Sequence, residues 1–291
     1  MHTCLSVIAS TLFAGSLLAC SEATTGPGAV EDQGFQIADA HYSLKKLTQF
    51  KLPRALREIS GLALDGDDRL FAHGDELGII YQLDYSRGAV VGRFALQGLV
   101  KADFEGIAVA RDRLFLITST GTLYETHIGR DGDQVPFERH RTDVNCEVEG
   151  LTYLAVEGAL LIACKNLPKK DKKVAIRIYR WFLDTASLDS SATLSVSRRD
   201  LAPLYEKRVQ PTAITVAGNG NLLLVAGRQH LLLELTTSGQ PVAVAKLPES
   251  RHARAEGVAL TADGRLIVAD EGDGRGKNKS RGRLSVYHPA Q

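Results

Sequence analysis

The strongest constraint on the fold is a motif that recurs along the chain. Ile59-Ser60-Gly61-Leu62, Phe104-Glu105-Gly106-Ile107, Val148-Glu149-Gly150-Leu151, Thr212-Ala213-Ile214 and Ala255-Glu256-Gly257-Val258 occupy equivalent places, each followed by a turn and a second apolar run. Gly61, Gly106 and Gly150 are spaced by about 45 residues, the period of a four-stranded propeller blade. The expected fold class is all-β, a β-propeller of five blades, with six as the alternative. The second repeat shows the pattern most plainly. It is expected to carry strands over 105–110, 113–118, 122–128 and 135–141, with turn residues Arg111-Asp112 and Gly121 between them. The stretch from Asp184 to Glu206 delays the fourth repeat and leaves room for a sixth blade. It is read instead as the end of a long third blade, with 192–198 as the outer strand. The last repeat lacks an outer strand of its own. Ser43–Leu52 is expected to supply it and close the ring from the N-terminal side, leaving few free sheet edges.

The first residues do not belong to that pattern. Cys4 to Ala19 contain no charged side chain and are dominated by Leu5, Val7, Ile8, Leu12, Phe13, Leu17 and Leu18. The run is short for a membrane span and reads as a signal peptide, residues 1–19. It ends Leu17-Leu18-Ala19-Cys20, which resembles a bacterial lipobox. That resemblance implies cleavage before Cys20 and lipidation of its thiol, although His2 stands where Lys or Arg is usual. Ser21 rather than Asp after the cysteine favours the outer membrane, by resemblance to Gram-negative sorting. The expected location is therefore the cell envelope, on the periplasmic side of the outer membrane. Residues 20–36 read as lipidated cysteine and tether, and 37–291 as one propeller domain. Export changes the cysteine arithmetic too. Cys146 lies just before the first strand of the third repeat and Cys164 near the end of the second. A disulfide is expected, against the alternative of two buried thiols. The net charge of +1 over 291 residues gives no reason to expect nucleic acid as a partner.

The chain resembles the SdiA-regulated family of exported bacterial propellers. Glu58-Ile59-Ser60-Gly61-Leu62, Asp103-Phe104-Glu105-Gly106-Ile107, Cys146-Glu147-Val148-Glu149-Gly150-Leu151 and Ala255-Glu256-Gly257-Val258 carry the likeness, over roughly Tyr42 to His288. The resemblance implies an exported propeller with relatives linked to calcium and to phytase-like activity. It implies more about fold than about chemistry.

In a propeller the inner strands line a central channel, and strand starts from all blades converge on one face. That places Glu58, Glu105, Glu149 and Glu256 together. The ends of the second strands add His73, Asp75, Glu76, Lys165, Asn166, Arg228, Asp270 and Glu271. Crowded carboxylates need compensation. Hard oxygen donors in a flexible ring suit Ca²⁺, so Glu58, Glu105, Glu149, Glu256 and Asp270 are the expected metal ligands and Ca²⁺ the expected cofactor. His73, Asp75, Glu76, Lys165, Asn166, Arg228 and Glu271 are the expected ligand-binding residues. Ion pairing with Lys165 and Arg228, backbone capping, or protonation are the other ways out, and they remain open here. The basic loops 169–173 and 275–281 on the same face would suit an anionic or phosphorylated small ligand. Asp270-Glu271-Gly272-Asp273-Gly274 lacks the spacing of an EF-hand. There is no Gly-x-Ser-x-Gly elbow, no HExxH and no phosphate-binding P-loop, and the histidines are scattered. Three functions follow: a calcium-related binding or sensing lipoprotein, a calcium-dependent phytase-like phosphoesterase, or an interaction scaffold for an envelope protein.

Overall fold

The computed structural model describes residues 34–273 and 280–290. The expected signal peptide, the expected lipidation site Cys20 and basic residues 275–279 lie outside them. The chain opens with β1 (Phe35–Ile37) and β2 (Ala40–Lys51). Blade 1 is β3 (Ile59–Leu64), β4 (Leu70–Gly74), β5 (Ile79–Asp84) and β6 (Ala89–Leu96). Blade 2 begins with β7 (Phe104–Ala110), β8 (Arg113–Thr118) and β9 (Thr122–His127). The segment expected as one strand over 135–141 is split. β10 (Gln134–Val135) pairs parallel with β6 and so extends blade 1, whereas β11 (Phe137–Arg141) completes blade 2. Pro136 separates them, and a residue without an N–H cannot continue a ladder on both sides.

Blade 3 is β12 (Glu147–Leu154), β13 (Ala159–Asn166), β14 (Val174–Phe182) and β15 (Ser187–Ser197). The long third unit is therefore one blade. Its outer strand stops at Ser197, whose hydroxyl caps the short helix α1 (Arg198–Leu201) by accepting from the Asp200 N–H. Blade 4 is β16 (Ala213–Val216), β17 (Leu222–Ala226), β18 (Leu231–Leu235) and β19 (Pro241–Lys246). Blade 5 is β20 (Ala255–Leu260), β21 (Leu266–Asp270) and β22 (Arg283–Pro289), completed by β2 and then β1. The antiparallel pairing of β2 with β22, from Leu47↔Tyr287 to Lys51↔Arg283, is the closure the sequence predicts. The sequence reading misses β1, which begins at Phe35 and packs its ring edge-on against Tyr287. Among the described residues no helix is long and apolar enough to cross a membrane.

Five sheets face one another through five apolar clusters, each shared by two neighbouring blades. Leu161 and Ile178 of blade 3 pack with Leu222 and Leu233 of blade 4, for instance, while Leu62 and Leu70 of blade 1 pack with Ile267 and Leu284 of blade 5. The repeated glycine has a reason in this packing. A Cβ on Gly106 would lie 2.8 Å from the Leu151 backbone nitrogen, and one on Gly257 would lie 2.9 Å from Leu62 Cγ. Inner strands of adjacent blades approach too closely around the channel for a side chain there. The third blade is also stapled near its channel end. Cys146 and Cys164 form a disulfide with Cα atoms 5.8 Å apart, linking the approach to β12 with β13.

Candidate functional site: the acidic mouth of the channel

The motif's residue before glycine is held by a backbone irregularity. In four blades the ladder between the first and second strands slips by one residue, between Ile59 and Gly61, Phe104 and Gly106, Val148 and Gly150, and Ala255 and Gly257. Bulges of this kind re-aim a side chain. The residues at the slip are Ser60, Glu105, Glu149 and Glu256, and all four line one cavity of about 410 Å³ at the channel mouth. Blade 4 pairs Ala213 with Val225 without a slip, and its equivalent residue Thr212 turns inward to donate to the Ala255 carbonyl at 2.6 Å.

A second layer surrounds this ring. Glu58 and Arg254 stand two residues before Ser60 and Glu256, and their carbonyls accept from the backbone N–H of Asp75 and Glu271. All four side chains line the cavity, together with Arg57, Lys165 and Asp273. In blade 2 the same layer closes on itself, where Ser119 Oγ donates to Asp103 Oδ2 at 2.5 Å. In blade 3, Asn166 Nδ2 donates to Glu147 Oε2 at 2.5 Å.

Seven carboxylates therefore meet three cations around one opening, counting Glu58, Asp75, Glu105, Glu149, Glu256, Glu271 and Asp273 against Arg57, Lys165 and Arg254. Pairing relieves part of the excess. Lys165 Nζ bonds Glu149 Oε1, Arg254 bridges Glu271 at 3.0 Å, and Arg57 bridges Glu58 at 3.2 Å. Ser60 Oγ donates to Glu105 Oε2 at 2.9 Å. The Glu256 carboxylate has no hydrogen-bond partner among the described residues. Protonation relieves the rest. Burial pushes the Glu105 carboxyl up to about 8, with the Glu149 charge adding to the rise and the Ser60 bond opposing it. Burial raises Glu149 to about 7 against the pull of Lys165, and Glu256 to about 7 against the same cation. Asp75 and Glu271 are also raised, chiefly by burial. Burial works to lower Lys165, yet its bond to Glu149 and the surrounding carboxylates raise it overall, so its ammonium is a fixed charge in the wall.

The structure brings together only part of the expected set. Glu58, Asp75, Glu105, Glu149, Lys165, Glu256 and Glu271 line the cavity. Five others do not. Asp270 is fully buried behind the wall, where its Oδ2 bonds His252 Nδ1 at 2.8 Å and His252 Nε2 meets the Tyr287 hydroxyl at 2.6 Å. His73 is fully buried too, with Nδ1 on the Gly74 carbonyl and its ring against the space a Gly61 side chain would need. Asn166 is turned toward Glu147, Arg208 and Gln210. Arg228 is exposed on the turn Gly227–Gln229, and Glu76 is exposed at a separate crevice. For Asp270 and Asn166 the reason is register: side chains alternate along a strand, so each points away from its neighbour Glu271 or Lys165. The same rule corrects the alignment of blade 1, where Ser60, not Glu58, is the counterpart of Glu105. Arg57 and Arg254 also line the cavity, and the repeated glycine motif does not single them out. The signal for Arg254 is its place two residues before Glu256, matching Asp103 before Glu105.

The donor set is oxygen-rich and suits a hard cation, but the side chains do not form a preassembled cage. Among the described residues, the cluster whose ligand atoms lie within 4.8 Å of one another is Glu125, Glu138 and His140, far from the channel on the outer strands of blade 2. There Arg113 and His140 already bond Glu125, at 2.6 and 2.9 Å.

A fold by itself does not fix a chemistry. The fold is shared with the glutaminyl cyclase of Myxococcus xanthus, at a TM-score of 0.59 and 17% identity over 84% of this chain and 96% of that one. It is shared with the PQQ-bound aldose sugar dehydrogenase of Streptomyces coelicolor, at 0.52 and 14% over 83% and 98%. A luciferin-regenerating enzyme stands at 0.52 and 11% over 83% and 95%. At such identities the likeness shows architecture alone. No curated protein sequence matches the chain. The sequence matches the SdiA-regulated family over residues 36–273, and the chain belongs to that family.

Proposed function

We propose that the channel mouth binds a divalent cation, Ca²⁺ by preference, as a binding or sensing site. The observation that carries this reading is the incompletely compensated ring of Glu105, Glu149 and Glu256 in one cavity, where seven carboxylates meet three cations and the ring carboxyls are held at about 8, 7 and 7. Ca²⁺ accepts carboxylate oxygens in irregular geometry and keeps water in the remaining positions, which fits a wide mouth better than a rigid cage. Glu105 and Glu256 are the proposed direct ligands, with rim carboxylates completing the shell. The ion would replace protons, so affinity rises with pH. The proposed setting is the cell envelope, through export and lipidation at Cys20; the Cys146–Cys164 disulfide supports an oxidising compartment.

Thermal unfolding during a Ca²⁺ titration at pH 6 and pH 8.5 tests the site. A saturable rise in Tm is expected, larger at pH 8.5 and absent in Glu105→Gln/Glu256→Gln. No shift at millimolar Ca²⁺ would leave the ring as internal bracing and favour the interaction scaffold. A second reading rests on the same carboxyl values, which lie where general acids and bases work. It is phosphoester hydrolysis with Glu149 as base, and it requires turnover that is lost in Glu149→Gln.

A further inference from the structure

Next to the acidic mouth lies a groove of opposite sign. Its volume is about 270 Å³, and Lys165, Lys169, Lys172, Arg198 and Arg208 line it with a single carboxylate, Asp171. That carboxylate is already held by Arg177 Nη1 at 2.7 Å. The groove is therefore cationic with its one internal counter-charge spent. Two of its cations are tied to the protein by a hydrogen bond. Arg198 Nε donates to the Lys172 carbonyl at 2.8 Å, and Arg208 Nη2 donates to Asn166 Oδ1 at 2.6 Å. A guanidinium has five N–H donors, so each arginine keeps donors for a ligand. Lys169 and Lys172 are exposed on the turn between β13 and β14 and add two ammonium groups. Val174 and Val209 give the floor apolar area.

We infer that this groove is an anion subsite for a small phosphate-bearing ligand. Two anchored guanidinium groups and two ammonium groups around a small volume are the chemistry that holds a tetrahedral oxyanion. Lys165 is the wall common to both cavities and is bonded to Glu149 on the acidic side. A phosphate in the groove would therefore stand next to the acidic mouth, with Lys165 between them. The inference goes beyond the cation reading and does not need it.

Isothermal titration of the purified protein with inorganic phosphate, in chelator and without divalent cations, tests the groove alone. Saturable binding is expected, weakened by added salt and weakened about tenfold or more in Lys169→Gln/Lys172→Gln. Both lysines are exposed, and an unchanged melting temperature would show that the variant folds. Absence of saturable binding would overturn the inference. So would equal binding by the variant, equal competition by chloride, or binding confined to phosphatidylglycerol vesicles. Because the titration excludes metal, its failure leaves the cation reading untouched.

Discussion

Replacing Glu105 by Gln should make the protein more stable at alkaline pH and leave it nearly unchanged at pH 5. The unfolded chain releases the Glu105 proton near its ordinary value of 4.5, whereas the folded protein keeps it until about 8. Between those values the native state binds more protons than the unfolded one, so stability falls as pH rises. Below 4.5 both states are protonated and the residue contributes nothing to the pH dependence. At 1.36 kcal/mol per pH unit, the full displacement sets an upper limit of about 5 kcal/mol. Water reaches the open mouth and screens the charge, and Glu105 titrates together with Glu149, so about 2 kcal/mol is expected at pH 9. Gln keeps the acceptor for the Ser60 hydroxyl, now 2.9 Å from Oε2, and removes only the charge. The gain corresponds to roughly 5 °C in Tm at pH 9 and no more than about 1 °C at pH 5. Trp181 is the single tryptophan and is fully buried, so its fluorescence reports unfolding without a label. The comparison is made in chelator, to keep metal binding out of it. Equal Tm changes at both pH values would refute the account, because a packing effect has no reason to follow this proton.

Two further predictions concern Lys165 and Gly106. Lys165→Met removes the cation bonded to Glu149, whose side chain is 4% exposed, and should cost about 3 kcal/mol at pH 9. At pH 5, where Glu149 is protonated, the cost should largely vanish, and Glu149→Gln in the same chain should restore stability at pH 9; a pH-independent loss in chemical denaturation would count against the pair. Gly106→Ala places a Cβ 2.8 Å from the Leu151 nitrogen and should lose about 1–3 kcal/mol. Gly66→Ala, with nothing within 4 Å, is the control and should change stability by no more than about 0.5 kcal/mol, so similar losses in both would refute the close-approach argument.

Much of the fold is legible in the sequence because a propeller repeats its local rules. The motif, its turns and its apolar alternation mark where each blade begins. A missing outer strand at the C-terminus points to β2 for closure. The spacing of Cys146 and Cys164 around one hairpin makes their pairing readable as well. These features depend on short-range pattern, which survives in one dimension.

The site was legible only in part. Glu105, Glu149 and Glu256 stand out because each precedes a repeated glycine, but their common aim comes from bulges that no residue count reveals. Ser60 was hidden behind the more conspicuous Glu58, and Asp270 looked like a member of the ring until His252 and Tyr287 were seen to hold it from behind. The sequence by itself determined the propeller class, pointed to five blades with six left open, and marked which charges lie near the channel; the sheet pairing fixed the count at five. Tertiary structure alone decided which of those charges enter the channel, because on a strand one residue of slip reverses every side chain from the cavity to the core.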